Sequence, residues 1–333
     1  MFTYILKRSL TSLCSNAQKL SEINLVGRDY ICPRNLTPSE IKSLLWTALD
    51  LKHLSKQRTV NVTSMENARV TLILDKPNIN VQLTLTNAVK LLNASLCIVT
   101  DTEWKNNVNL EDHGRMLAVS SDIVFCSIQE QDKIEQIADG CNVPVVAVQS
   151  CDFTIVKSLS HLMSMQLHYG YLKDLTLGYV GLTGALINTY LCMFPLLGMN
   201  IKYCIVKDDS CTQQLMATEG LKYAQRHNTE IHECCSTSQT IYRTDVIASS
   251  QHGNSDYKIC MKDMKEAAIE WVLLYDLPRG ECDIDNEVFK HECNLTWKSL
   301  ENCTWIYAAF MLRFLTCYTH ASLEPSFNKT DNE

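Results

Sequence analysis

The sequence has no apolar run long enough to cross a membrane. The longest candidate, Trp305 to Leu315, is short and contains Arg313. It has no basic stripe with interleaved aromatics. Its 30 Lys and Arg against 37 Asp and Glu give a net charge of −7, which argues against a broad nucleic-acid surface. It has no CxxC pair beside His232-Glu-Cys234-Cys235 or His291-Glu-Cys293. Adjacent cysteines diverge on a strand, so neither cluster has the spacing of a zinc site, and no metal is expected. It has no glycine fingerprint for a dinucleotide either. Gly178, Gly181 and Gly184 follow a strand and open a helix, with Asp208 and Asp209 beyond the next strand. The spacing is nevertheless not G-x-G-x-x-G, and no cofactor is expected. Finally, it has no acid before Glu22, while Lys7, Arg8 and Lys19 lie among Ser and Thr. Residues 1–26 therefore read as a mitochondrial transit peptide, which places the mature chain in the matrix.

There are 16 cysteines, yet neither the length nor any secretory signal fits a disulfide scaffold. Cys97, Cys126 and Cys204 sit in strand-like runs and read as small buried hydrophobes. Asn61-Val-Thr63 has the form of a glycosylation sequon, which means little without such a signal. At 333 residues, 46% of them hydrophobic, the chain can bury a large core and is expected to form two domains.

Strand and helix signals alternate. Thr37-Pro38-Ser39-Glu40 is a capping box with Pro at the first helical position. The helix it opens carries Ile41, Leu44, Leu45, Ala48 and Leu51 on one face. The β-branched run Val70 to Leu74 reads as a strand. A turn through Asn78, Ile79, Asn80, Val81 and Gln82 then leads to a helix over 82–93, with Leu85, Ala88, Val89 and Leu92 as its stripe. Such a turn exposes helix N–H groups and is a natural anion site, but Lys76 is its one cation. Further strands are expected at 96–99, 122–128 and 143–148, with helices at 110–120, 131–139 and 154–171. A second series runs through strands at 175–181, 201–206, 230–234, 245–249 and 271–277. Its helices fall at 185–197 and 212–227, and a last one over about 301–316. The pattern predicts an α/β fold of two open, mostly parallel sheets flanked by helices, with a hinge near residue 170 and a disordered polar tail over 322–333.

Several stretches, in order, resemble one family. They are Gly27-Arg28-Asp29, Asn35-Leu-Thr-Pro-Ser-Glu-Ile41-Lys, Leu45-Trp46, Leu172-Lys-Asp-Leu-Thr-Leu177 and Gly198-Met199. Further on come Leu277-Pro278-Arg279, Asp285-Asn-Glu-Val-Phe289 and Glu301-Asn302. Their spacing is similar to that of the ornithine transcarbamylase family of arginine and urea metabolism, over about residues 27–318. The resemblance implies the aspartate/ornithine carbamoyltransferase fold. It implies a carbamoyl-phosphate domain over 27–170 completed by the helix at 301–318, an ornithine domain over 171–300, and a homotrimer.

The family's functional positions are replaced here. Its Ser-Thr-Arg-Thr-Arg phosphate loop falls on Asn78, Ile79, Asn80, Val81 and Gln82, and the arginine near the carbamoyl group on Ser127. Its His-Pro-x-Gln falls on Thr154, Ile155, Val156 and Lys157. Its ornithine-holding asparagine falls on Ala185, and the Asp and Ser-Met-Gly segment on Ser250-Gln-His-Gly253. His-Cys-Leu-Pro-Arg reads Tyr275-Asp276-Leu277-Pro278-Arg279, and the arginine after Glu-Asn is Cys303. Carbamoyl phosphate carries about two negative charges, and each charge-assisted bond to it contributes about 1.5–3 kcal/mol. Asp276 adds repulsion. The expectation is a pseudoenzyme with a structural or regulatory role and no carbamoyl transfer. The alternative is an amino-acid- or anion-binding protein, or an altered transferase, that uses the same cleft through Lys157 and a Tyr275–Asp276 acid/base pair.

Overall fold

The computed structural model describes residues 19–56, 65–100, 109–206 and 214–329. The basic segment 1–18, the sequon at 61–63, Asp208 and Asp209, and residues 330–333 lie outside these. Two parallel sheets form the frame. The first contains β1 (Arg69–Leu74), β2 (Ser95–Val99), β3 (Ile123–Ser127) and β4 (Val145–Gln149), in the order β2-β1-β3-β4. The second contains β5 (Thr176–Gly181), β6 (Asn200–Ile205), β7 (Ile231–Glu233), β8 (Val246–Ser250) and β9 (Val272–Asp276), in the order β7-β6-β5-β8-β9. Each sheet reverses its winding beside its first strand, at β1/β3 and at β5/β8. Crevices at the carboxyl ends of strands form at such points.

The helices follow from local chemistry. Helix α1 (Pro38–Lys56) opens with both halves of its capping box made: Thr37 N–H donates to Glu40 Oε2 at 2.7 Å, and Glu40 N–H to Thr37 Oγ1 at 3.3 Å. Helix α2 (Ile79–Leu91) begins three residues earlier than the apolar periodicity suggested. Asn78 is its N-cap and accepts from Val81 N–H, so the supposed turn is already the first helical turn. Helices α3 (Leu110–Ser120), α4 (Gln131–Gly140) and α5 (Ile155–Tyr169) complete the first unit, and α5 ends at the left-handed Gly170. The second unit carries α6 (Ala185–Met193), α7 (Ala217–His227), and the short α8 (Thr237–Ile241), α9 (Met261–Met264) and α10 (Asn286–Phe289). Helix α11 (Thr296–Leu315) then returns to the first unit and packs on α1, α2 and α5. It starts five residues before the expected 301, where the Asn294 side chain accepts Thr296 N–H at 2.9 Å.

Two expectations are corrected. Cys126 and Cys204 are buried, but Cys97 is exposed, because β2 is an edge strand with one side uncovered. The polar tail is ordered as far as residue 329. Phe327 is buried, and its carbonyl accepts the N–H groups of Leu172 and Lys173 at 3.0 and 3.1 Å. Buried Asp50 accepts from Tyr318 Oη, Ala321 N–H and Ser322 N–H at 2.8 to 2.9 Å. The Asp50 carboxylate and the Phe327 ring, with His320 stacked on Trp46, dock a segment whose composition reads as loose. Burial pushes the Asp50 carboxyl up, but these donors outweigh it and hold it below the usual range.

Replacing Asp50 by Ala is expected to cost about 2–4 kcal/mol, since three donors lose their acceptor. Thermal unfolding should show a lower midpoint, and limited proteolysis should release the segment after residue 316. A variant with the wild-type midpoint and digest would disprove the anchor.

Candidate functional site

The carboxyl ends of both sheets face a cleft of about 880 Å³. Its walls come from Pro77–Val81 and Thr84, from Val148 and Gln149, from the start of α5, from Tyr275–Arg279 at and beyond the end of β9, and from α11. A side pocket of about 240 Å³ opens between Gln149 and Lys157 on one side and Leu182–Leu186, Ser250 and Asp276 on the other. A third hollow of about 210 Å³ lies over Asp75–Asn78 and Ser127–Gln129.

The residues singled out from sequence distribute among these spaces. Asn78, Ile79, Asn80, Val81, Thr154, Lys157, Asp276, Leu277 and Cys303 line the main cleft. Ala185 and Ser250 line the side pocket, and Ser127 the third hollow. Gln82 lines none of the three. Lys76 is exposed and borders only the third hollow. Sequence reasoning missed Ser160, His161, Phe289, Trp297 and Ser299, which also line the cleft. Ser160 and His161 stand three and four residues after Lys157, so helical spacing alone would have put them on its face.

One N–H group at the start of α2 is satisfied by the helix's own cap. Asn78 Oδ1 accepts from Val81 N–H at 3.2 Å, and Asn78 Nδ2 donates to Gln149 Oε1 at 3.4 Å. Across the cleft, Lys157 of α5 donates from Nζ to Asp276 Oδ1 at the end of β9. Both side chains are mostly buried, and both line the main cleft and the side pocket. The pair therefore stands between the two spaces and joins the two units. Other bonds join them nearby. Thr154 N–H donates to Thr189 Oγ1 at 2.8 Å, and His161 Nδ1 lies 2.5 Å from Tyr190 Oη. The remaining cation, Arg279, donates to Asn286 Oδ1 at 2.5 Å, with its guanidinium 4.5 Å from the centre of the Phe289 ring.

No acid/base pair forms at Tyr275 and Asp276. Tyr275 is buried, and its hydroxyl donates to Asp283 Oδ2 at 2.6 Å, away from Asp276, as alternation along a strand requires. Burial, then the Asp283 carboxylate, push that phenol up. Asp283 also accepts the N–H groups of Gly253 and Gly280 at 2.7 and 2.9 Å, so it ties together the loops around the Leu-Pro-Arg end. Cys303 is buried with its thiol pushed up by burial, which is the opposite of a reactive thiolate. Ser250 Oγ lies 2.7 Å from Tyr179 Oη, whose proton goes to the Leu182 carbonyl. His161 is held neutral, its pKa lowered to about 3 by burial and then by Lys157. Among the described residues no three of His, Cys, Asp and Glu converge as metal ligands do.

Residues 28–166 match the family described as aspartate/ornithine carbamoyltransferase, carbamoyl-P binding domain. The mitochondrial ornithine carbamoyltransferase of Aquarana catesbeiana is 26% identical over 321 residues, covering 91% of each chain. The mitochondrial ornithine transcarbamylase of Gallus gallus is 24% identical over 333 residues, covering 94% of this chain and 93% of that one. Among solved structures, ornithine carbamoyltransferase from Pyrococcus furiosus superposes with a TM-score of 0.82 at 17% identity, covering 88% of this chain and 98% of that one. Aspartate transcarbamoylase from Trypanosoma cruzi, in complex with carbamoyl aspartate and phosphate, gives 0.76 at 16% identity, covering 88% and 97%. These likenesses establish the carbamoyltransferase fold.

Two measurements check this geometry. Lys157→Met and Asp276→Leu should each cost about 1–2 kcal/mol, and the double variant should recover most of the loss, because each single change strands a partly buried charge. Additive losses in a urea-denaturation cycle would rule out the pair. His161 binds its proton less readily folded than unfolded, so stability is flat above about pH 6.5 and falls as pH drops below it. Between pH 7 and pH 5 the wild type should lose about 2 kcal/mol more than His161→Gln. Equal losses would exclude a buried neutral imidazole.

Proposed function

The chain is a divergent member of the ornithine carbamoyltransferase family, and from that premise we propose that it is a non-catalytic one. The observation that carries this reading is the Lys157–Asp276 ion pair. It stands where the family pattern has the glutamine of His-Pro-x-Gln and the cysteine of His-Cys-Leu-Pro-Arg. A polarising amide and a thiol have become two charges that satisfy each other.

The charge balance supports the same reading. Among the described residues, Lys157 and Arg279 are the cations lining the main cleft. One is neutralised by Asp276, and the other is engaged by Asn286 and Phe289. A doubly charged phosphate ester entering this space would lose its water and find Arg279 as its one unpaired counter-charge among the described residues, where the family pattern supplies several arginines. Among the described residues, His161 is the imidazole lining the cleft, and it is turned to Tyr190 and not free to polarise a carbamoyl carbonyl. The scaffold is meanwhile intact, which points to a structural or regulatory role.

A mitochondrial location is supported by the acid-free, basic N-terminal stretch and by the mitochondrial relatives. Assembly as a homotrimer follows from the resemblance alone, and light scattering of the purified protein would decide it.

With carbamoyl phosphate and ornithine, the purified protein should form no citrulline above a vector-only control. A rate above that control would overturn the non-catalytic reading.

A further inference from the structure

The loss of charge at the cleft did not close it. A space of about 880 Å³ lies in the range of small-molecule sites. Its walls are largely apolar: Ile79, Val81, Leu277, Pro278, Phe289 and Trp297 all line it. Ile79 is 69% exposed and Trp297 57% exposed, so two large apolar side chains stand open to water at a concave surface. A concave, mostly apolar lining with a few polar groups is what small-molecule sites present.

The polar groups in the cleft are of a different kind from its lost arginines. Ser160 Oγ and Ser299 Oγ lie 3.0 Å apart on its floor, and the Asn80 carboxamide makes no hydrogen bond among the described residues. These are neutral donors and acceptors. Lys157 is matched by Asp276, whereas Arg279 keeps its charge, bonded only to the neutral carboxamide of Asn286.

Resting on the non-catalytic reading, we infer that this cleft binds an uncharged small molecule with an apolar, aromatic-sized body and one amide- or hydroxyl-type end. The body lies against Ile79, Phe289 and Trp297. The polar end meets the Asn80 carboxamide. A charge set beside Lys157 is disfavoured, since either sign would have to break the Lys157–Asp276 pair to find a partner there.

Two dyes that differ by one anionic group test this. N-phenyl-1-naphthylamine is neutral, and 1-anilinonaphthalene-8-sulfonate adds a sulfonate to the same frame. The neutral dye should give a saturable fluorescence rise and bind at least about tenfold tighter than the sulfonate. Trp297→Ala and Ile79→Asp should each weaken it by about fivefold or more while leaving the melting temperature unchanged, because both side chains are exposed. Asp276→Asn releases Lys157 and should narrow or reverse the preference toward the sulfonate. No saturable rise, equal affinity for the two dyes, or unaltered binding in the Trp297 and Ile79 variants would overturn the inference. Citrulline formation would instead overturn the non-catalytic reading, so the two failures are distinguishable.

Discussion

The constraint on which the rest depends is the burial of α11. From Ile306 to Phe314 every side chain of this helix is buried, so it has no solvent face to turn outward. A helix hydrophobic all round must lie inside a core, and the core that receives it is formed by α1, α2 and α5 of the first unit. The chain reaches it only after completing the second sheet. The first unit therefore cannot finish folding without the last, and the two sheets are held with their carboxyl ends facing. Arg313 fixes the far end of the helix, donating to the Ile23 carbonyl and to Ser43 Oγ. Its near end delivers Trp297, Ser299 and Cys303 to the cleft. The frame of the site is thus a by-product of core packing, and it persists whatever the cleft residues are.

That separation of frame from chemistry explains how charge could be redistributed without damage to the fold. Two opposite charges facing each other across a partly buried gap satisfy one another, whereas either one alone would be a liability. The helix order, the strand order and the crevices at the sheet reversals are set by the core and not by the residues of the cleft.

The fold was legible in the sequence because its signals are local and redundant. The capping box at Thr37–Glu40, the β-branched run at Val70–Leu74 and the stripe on α2 each announce their element before any partner is known. The misreadings have physical causes. Asn78 began a helix where its neighbours suggested a turn, because a cap makes its bond to an N–H three residues on, beyond the reach of an apolar count. Cys97 looked like a core residue, since strand composition does not say which strand is the edge. The tail looked loose because docking rests on Asp50, some 270 residues away in sequence. At the cleft, the positions came from the resemblance, while their pairing did not. Lys157 and Asp276 are 119 residues apart, and no periodicity links them. Tyr275 was matched with its chain neighbour, yet a strand sends neighbours to opposite faces.

The cap at Asn78 has a consequence for how this helix terminus is held. Where a bound anion completes a helix terminus, the folded population rises and falls with the supply of that metabolite, by RT ln(1 + [L]/Kd). Here the carboxamide of Asn78 fills that role from within the chain. The Val81 N–H at this terminus is therefore satisfied by the chain itself, without a bound anion.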